Sequence, residues 1–288
     1  MSAREEILPL LPEGIRRAVS SEDFTQLEEI RLRAARPITV TAGGIHKPLP
    51  YRVGQGELEQ TLHSMSGSSV YAYIEEIRGC FITLEGGHRA GLSGTAVIKD
   101  SQLHNLTHLS GINLRVARQV IGAADSVMPY ILDGGIRNTL IVSPPQCGKT
   151  TILRDIARQL GRTHKISVID ERGEIAAVRK GVPQHDIGDM TDVLDLCPKS
   201  LGIPLMLRSM SPDVIITDEI AECDVEAVRQ IFSCGVRLIA TAHGDNAEQA
   251  IRRIRLDFAM SEIDCVITLS ARCGAGTVEA VKNSPFEF

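Results

Sequence analysis

The chain reads as α/β, a mainly parallel sheet domain preceded by a smaller α+β N-terminal domain. Two observations carry this. From Asn138 onward, short apolar runs of strand length alternate with helical segments, the order that builds a parallel sheet with helices on both faces. Before Asn138, amphipathic stretches mix with strand-like runs that end in Gly-rich turns, an α+β pattern. A length of 288 residues allows two separate cores, and the pattern places the domains at 1–125 and 126–288.

Residues 5–33 carry Ile7, Leu10, Leu11, Ile15 and Val19 at helical spacing, then Ser20-Ser21, then Leu27, Ile30 and Leu32. This reads as helix, turn, then helix or strand. The β-branched run from Pro37 into Gly43-Gly44 reads as a strand closed by a tight turn, and residues 57–78 as one or two helices. Residues 79–98 hold five Gly and two strand-like runs around Gly86-Gly87, which predicts a hairpin whose turn needs positive φ. In Asn113-Leu-Arg-Val-Ala-Arg, a helical reading puts Arg115 and Arg118 on one face. Gly122, Pro129 and Gly134-Gly135 suggest a boundary or linker near 122–135. Beyond it, strands are expected at 139–142, 165–169, 213–217, 236–241 and 265–269.

Composition narrows the function classes. Apolar residues at 43% and charged residues at 23% are globular values. Aromatics are 3% and Trp is absent, so platforms for stacking single-stranded bases are scarce. A formal charge of -5 gives no general attraction to phosphate backbones. Seven Cys lie without a CxxC pair, the usage of reduced thiols in a cytosolic protein. No apolar leader and no run of 18 apolar residues is present, so a membrane role is expected to go through partners.

The densest chemistry lies where the 139–142 strand meets a helix starting near Thr150. Ser143, Pro144, Pro145, Gln146, Cys147, Gly148, Lys149, Thr150 and Thr151 follow the pattern G-x-x-x-x-G-K-[ST], with Ser143 in place of the first Gly. Such a P-loop points backbone N–H groups and a helix N-terminus at a nucleotide triphosphate. Gly148 allows close approach, Lys149 brings an ammonium to the outer phosphates, and the Thr150 hydroxyl serves Mg²⁺. A Gly-only conformation at Ser143 would cost roughly 1–3 kcal/mol. Cys147 is either a thiol activated by this electropositive loop or a buried, inert one.

About 70 residues on, Asp218 and Glu219 end an apolar strand; Asp218 suits Mg²⁺ held through water, and Glu219 suits orientation of the attacking water. Asp170, Glu171 and Glu174 end another strand, and parallel neighbours release their loops into one crevice. Glu171 is preferred to Glu219 as the base, and a plain charged turn with Arg172 paired to Glu174 is the alternative. His243 closes a further strand, where it can report on a γ-phosphate, and Arg252, Arg253 and Arg255 on the next helix could reach a nucleotide across a subunit interface.

These segments resemble the secretion and pilus ATPases of type II and type IV systems over residues 138–260, including Thr241-Ala-His-Gly-Asp-Asn-Ala-Glu-Gln-Ala-Ile. Across nearly the whole chain, Glu29-Ile-Arg-Leu-Arg-Ala-Ala-Arg-Pro, Gly86-Gly-His-Arg-Ala-Gly-Leu-Ser-Gly, Asn113-Leu-Arg-Val-Ala-Arg and the P-loop resemble the stage III sporulation protein AA family of endospore-forming bacteria. The resemblance implies a RecA-like P-loop ATPase using ATP and Mg²⁺. It also implies a homo-hexameric ring in the mother-cell cytoplasm, working with membrane proteins of a channel that joins mother cell and forespore. The alternatives are a nucleotide-gated ring scaffold with little turnover and, resting on Arg252, Arg253 and Arg255 alone, a nucleic-acid translocase.

Overall fold

The structure, a computed structural model, describes residues 2–67, 73–255 and 261–284. The chain divides into two compact units, Met1–Arg118 with Ala177–Gln184, and Gln119–Ala176 with His185–Phe288.

In the first unit, helices α1 (Ala3–Ile7) and α2 (Glu13–Val19) turn Ile7, Ile15 and Val19 into the core, with Leu11 between them. The ambiguous segment after them is strand β1 (Leu27–Arg33), in which Leu27, Ile30 and Leu32 are all buried. Its spacing looked partly helical because the pairing register shifts between Leu27 and Glu29, so one extra residue separates two core positions. Strands β2 (Pro37–Ala42) and β3 (Ile45–Arg52) meet at Gly43 and Gly44, at φ 55° and 75°, as the Gly pair predicts.

Helices α3 (Gln55–Met65) and α4 (Ile74–Arg78) answer the expectation at 57–78, of which 68–72 lie outside the described residues. Strands β4 (Phe81–Thr83) and β5 (Arg89–Lys99) flank Gly86 and Gly87 at φ 74° and 78°, again as predicted. Strand β6 (Gln102–Arg115) corrects the helical reading, with Arg115 its last residue and Arg118 in the irregular segment after it. Ile112 and Leu114 are buried while Asn113 and Arg115 alternate with them, because β6 pairs with both β1 and β5; a period of two won. The six strands form an antiparallel sheet in the order β3-β2-β1-β6-β5-β4. Residues 177–184 return to this unit, where Gln184 Oε1 accepts from Gly86 N at 3.2 Å and Arg179 pairs with Glu85 at 3.3 Å.

The second unit begins with the 122–135 stretch and the short helix α5 (Met128–Ile131). Ala124, Val127 and Ile131 are fully buried. Then come β7 (Thr139–Ser143), α6 (Lys149–Leu160), β8 (Ile166–Asp170), β9 (Thr191–Asp195), α7 (Lys199–Met210), β10 (Val214–Thr217), α8 (Val225–Ser233), β11 (Arg237–His243), α9 (Ala247–Ile254), β12 (Cys265–Ser270) and β13 (Thr277–Asn283). The sheet order is β13-β12-β7-β11-β10-β8-β9, parallel except for β13, which runs antiparallel to β12.

Leu140 and Val142 of β7 share an apolar cluster with residues of α7, α8 and α9. Ile141, between them, turns to the opposite face by strand alternation, and there α6 contributes buried Ile152, Leu153 and Ile156. Each such buried Ile or Leu is worth about 1.5–3 kcal/mol, which holds the central strands in register. Ser143 pairs with His243, Thr217 with Ala240, and Thr217 with Ile169. The carboxyl ends of β7, β11, β10 and β8 therefore open at one edge of the sheet, where loops of adjacent parallel strands form a crevice. Strands β9 and β13 were not expected from sequence: β9 is a half-buried edge with two Asp, and β13 is set by its hairpin with β12.

Candidate functional site

Strand β7 ends on Ser143, which is fully buried, and among the described residues of the loop positive φ falls on Gln146 at 62° and Gly148 at 83°. The cost anticipated at Ser143 therefore does not arise. Gly148 is the N-cap of α6, and a Cβ there would lie 3.2 Å from Gly276 N and 3.4 Å from Ala275 C. The β12–β13 turn thus packs on the loop, and Gly276 N donates to Cys147 O at 2.9 Å. Thr150 and Thr151 occupy the first turn of α6, where N–H groups lack helical partners.

Lys149 is 7% exposed. Its Nζ donates to Ser143 O at 2.8 Å, Pro144 O at 2.9 Å and Ser143 Oγ at 3.2 Å, and lies 3.3 Å from His243 Nδ1. Burial pulls its pKa below the ordinary lysine value, opposed chiefly by the negative charge of Glu219. The ammonium is thus folded onto its own loop.

Asp170, at the end of β8, is fully buried. Its carboxylate accepts from Glu174 N, Ile175 N and Ala176 N at 2.8, 3.0 and 2.8 Å, so it shapes the loop that carries Glu171. Glu171 Oε2 is 2.5 Å from Lys199 Nζ, and the same ammonium is 3.4 Å from Asp218 Oδ1. That contact misses hydrogen-bond geometry, leaving Asp218 Oδ1 buried without a hydrogen-bond partner. Burial, with the nearby Asp170 charge, pushes the Asp218 carboxyl up to about 6 against the pull of Lys199 and Arg172. Burial acts to lower the Lys199 pKa, but the Glu171 hydrogen bond and the Asp218 charge outweigh it and raise it.

Glu219, one residue on, has φ 28°. Its N–H donates to Thr241 Oγ1 at 2.8 Å, its Oε2 meets Arg172 Nη1 at 2.7 Å, and its Oε1 meets His243 Nε2 at 2.8 Å. An ammonium only donates, so His243 Nδ1 accepts from Lys149 and the ring proton sits on Nε2, facing Glu219. Arg172, Glu219, His243 and Lys149 form one polar chain linking the carboxyl ends of four strands.

The structure thus gathers the P-loop residues, Glu171, Asp218, Glu219 and His243 at one sheet edge. The arginines after His243 are placed differently. Arg252 pairs with Glu248 at 2.6 Å, and Arg255, at the C-cap of α9 rather than inside the helix, pairs with Glu222 at 2.7 Å. Cys147 is 7% exposed, with Sγ 3.6 Å from Pro145 O, the buried alternative of the two sequence readings. Sequence reasoning missed Lys199, Thr241 and the 271–276 turn. Lys199 had one usable signal, a cation opening a helix after Cys197-Pro198.

With this geometry in view, comparisons place the chain among known proteins. The family described as Sporulation stage III, protein AA, matches residues 1–285. Stage III sporulation protein AA of Bacillus subtilis is 37% identical over 288 residues, covering 96% of this chain and 94% of that protein. Among solved structures, the pilus retraction motor PilT with bound ADP aligns with a TM-score of 0.61 at 18% identity, over 91% of this chain and 77% of that one. The Legionella pneumophila ATPase DotB aligns with a TM-score of 0.59 at 18% identity, over 84% and 72%. The two structural likenesses show the fold, a P-loop ATPase fold with a mainly parallel sheet.

Proposed function

The chain belongs to the sporulation stage III protein AA family, and from that membership we propose an ATP-hydrolysing, secretion-type motor. It works as a homo-hexameric ring in the mother-cell cytoplasm, with membrane proteins of the channel to the forespore as partners. No helix among the described residues is long and apolar enough to cross a membrane, so partners hold it there. The observation that carries the activity is the meeting of Lys149, Glu171, Asp218, Glu219 and His243 on the loops of one parallel-sheet edge.

The residues fit a magnesium nucleotide. The first-turn N–H groups of α6 at Thr150 and Thr151 lack helical partners, and Asp218 Oδ1 is a buried oxygen without a hydrogen-bond partner. Thr150 and Asp218 would hold Mg²⁺, whose chemistry is to neutralise charge on the phosphates. The chain's own part is positional. The loop from Ser143 to Thr151 binds phosphate oxygens through N–H groups, and Lys149 leaves the Ser143 and Pro144 carbonyls to add its charge. Glu171 accepts the proton of the attacking water; it is favoured over Glu219 because both Glu219 oxygens are already engaged, by Arg172 and His243. His243 is then placed to sense the outer phosphate.

A second reading, a nucleotide-gated ring with little turnover, draws on the folded-back Lys149. Turnover of Mg-ATP by the wild-type chain and by Lys149→Ala, with and without membrane partners, separates the two. Turnover lost in a folded Lys149→Ala variant supports the motor. Nucleotide-driven ring assembly without turnover under any condition supports the scaffold.

A further inference from the structure

We propose that Lys199 is a positioning residue for the nucleotide reaction, holding the Glu171 carboxylate in place for proton transfer and tying it to Asp218. The inference rests on the ATPase reading above.

Lys199 opens helix α7, with Pro198 as its N-cap. A cation there opposes the positive end of the helix dipole. It is also out of water, with 4% of its side chain exposed, and removing an ammonium from water is costly unless acids balance it. The balancing acids are Glu171 at 2.5 Å and Asp218 at 3.4 Å. A residue serving only to pack would avoid both penalties with an apolar side chain.

The backbone around Lys199 directs this ammonium toward the end of β8, with the Asp224 charge also acting on it. Gly202, within the first turn of α7, would place a Cβ 3.0 Å from Ile169 Cγ2 and 3.2 Å from Leu194 Cδ2. A larger residue at 202 would have to push these side chains aside by a few tenths of an ångström, so Gly202 favours the close seat of the helix start on β8 and β9 that places Lys199 beside the end of β8. Asp170, the nearest other acid on that strand, has its oxygens filled by the N–H groups of Glu174, Ile175 and Ala176. Asp170 therefore pins the backbone around Glu171, and Lys199 pins its side chain. The two constraints are independent, and both come from outside the P-loop.

The test uses the full-length chain with Mg-ATP: kcat and KM for wild type, Lys199→Met, Lys199→Arg, Glu171→Gln and the double variant Lys199→Met with Glu171→Gln. Binding of a fluorescent ATP analogue and thermal unfolding are measured beside them. Lys199→Met is expected to lose about 100-fold in kcat, the scale of misplacing a catalytic group by 1 Å, with analogue affinity retained. Lys199→Arg recovers part of that loss, and the double variant is no slower than Glu171→Gln alone. If Lys199→Met does not fold, Lys199→Gln replaces it, keeping a donor without the charge. A folded, charge-free variant with wild-type kcat overturns the proposal, as does a loss that multiplies with Glu171→Gln. Wild type without turnover overturns the ATPase reading and this inference together; wild-type turnover with an indifferent Lys199 overturns the inference alone.

Discussion

Glu219 and His243 meet across the neighbouring strands β10 and β11, with Oε1 2.8 Å from Nε2. The contact depends on a backbone kink. Glu219 sits at φ 28°, held by its N–H on Thr241 Oγ1, and this turns its side chain toward β11. The far side of the His243 ring meets Lys149 at 3.3 Å, so a change at the phosphate loop reaches Glu219 through one imidazole. His243→Ala is expected to lower kcat by about 100-fold, the scale of deleting one charge-stabilising donor, with little change in nucleotide affinity. Equal losses in kcat and affinity would assign His243 to binding instead.

Glu171→Gln and Glu219→Gln should behave differently. The amide keeps shape and removes the proton acceptor, so the variant that lacks the base retains ATP binding and ring assembly but loses about 100-fold or more in turnover. That variant is expected to be Glu171→Gln. Single-turnover hydrolysis and sizing of the particle with Mg-ATP measure both properties, and full activity in both variants would remove the base from either position.

Acidification should weaken the site through Asp218, whose carboxyl is pushed up from 3.8 to about 6 chiefly by burial. The folded chain holds this proton more tightly than the unfolded chain. The group therefore favours the fold most below about pH 4, and that contribution is lost as pH rises through about 6. Metal binding runs the other way, since only the carboxylate holds a divalent cation. The Mg²⁺ concentration for half-maximal turnover should rise as pH falls through about 6. A flat requirement between about pH 5 and 8 would contradict the assignment of Asp218.

Gly148→Ala puts a side chain at φ 83°, with its Cβ 3.2 Å from Gly276 N. The left-handed conformation alone costs about 1–2 kcal/mol, and the crowding adds to it. Denaturant unfolding should show at least this loss, together with weaker nucleotide binding. Unchanged stability would mean that the loop and the β12–β13 turn separate readily.

Thiol labelling should follow burial. Cys223, Cys234 and Cys273 are exposed, whereas Cys147 and Cys265 are buried, and burial pushes the Cys265 thiol up to about 11. A maleimide time course mapped by mass spectrometry should therefore mark the three exposed thiols first and Cys265 last. Cys147, buried like Cys265, should lag as well in the empty site. Its labelling ahead of Cys223 would show that the loop opens without nucleotide.

The strand-to-helix turn at residues 143–151 was legible in sequence because strand, turn and helix start are contiguous there, and such a turn is a local structure. Asp218, Glu171 and His243 were legible for a related reason. Each ends a short apolar run, and parallel strands deliver such ends to one edge whatever lies between them. The Gly43-Gly44 and Gly86-Gly87 turns followed from backbone sterics alone. Tertiary packing decided the rest. Arg115 is in a strand because β1 and β5 pair with it on both sides. Residues 177–184 join the first unit through Gly86 and Glu85, partners about 95 positions away. Lys199 reaches Glu171 from 28 residues off because α7 packs closely onto β8 at Gly202. Local propensity sets a strand or a turn, whereas a buried charge takes its meaning from the partners that folding brings to it.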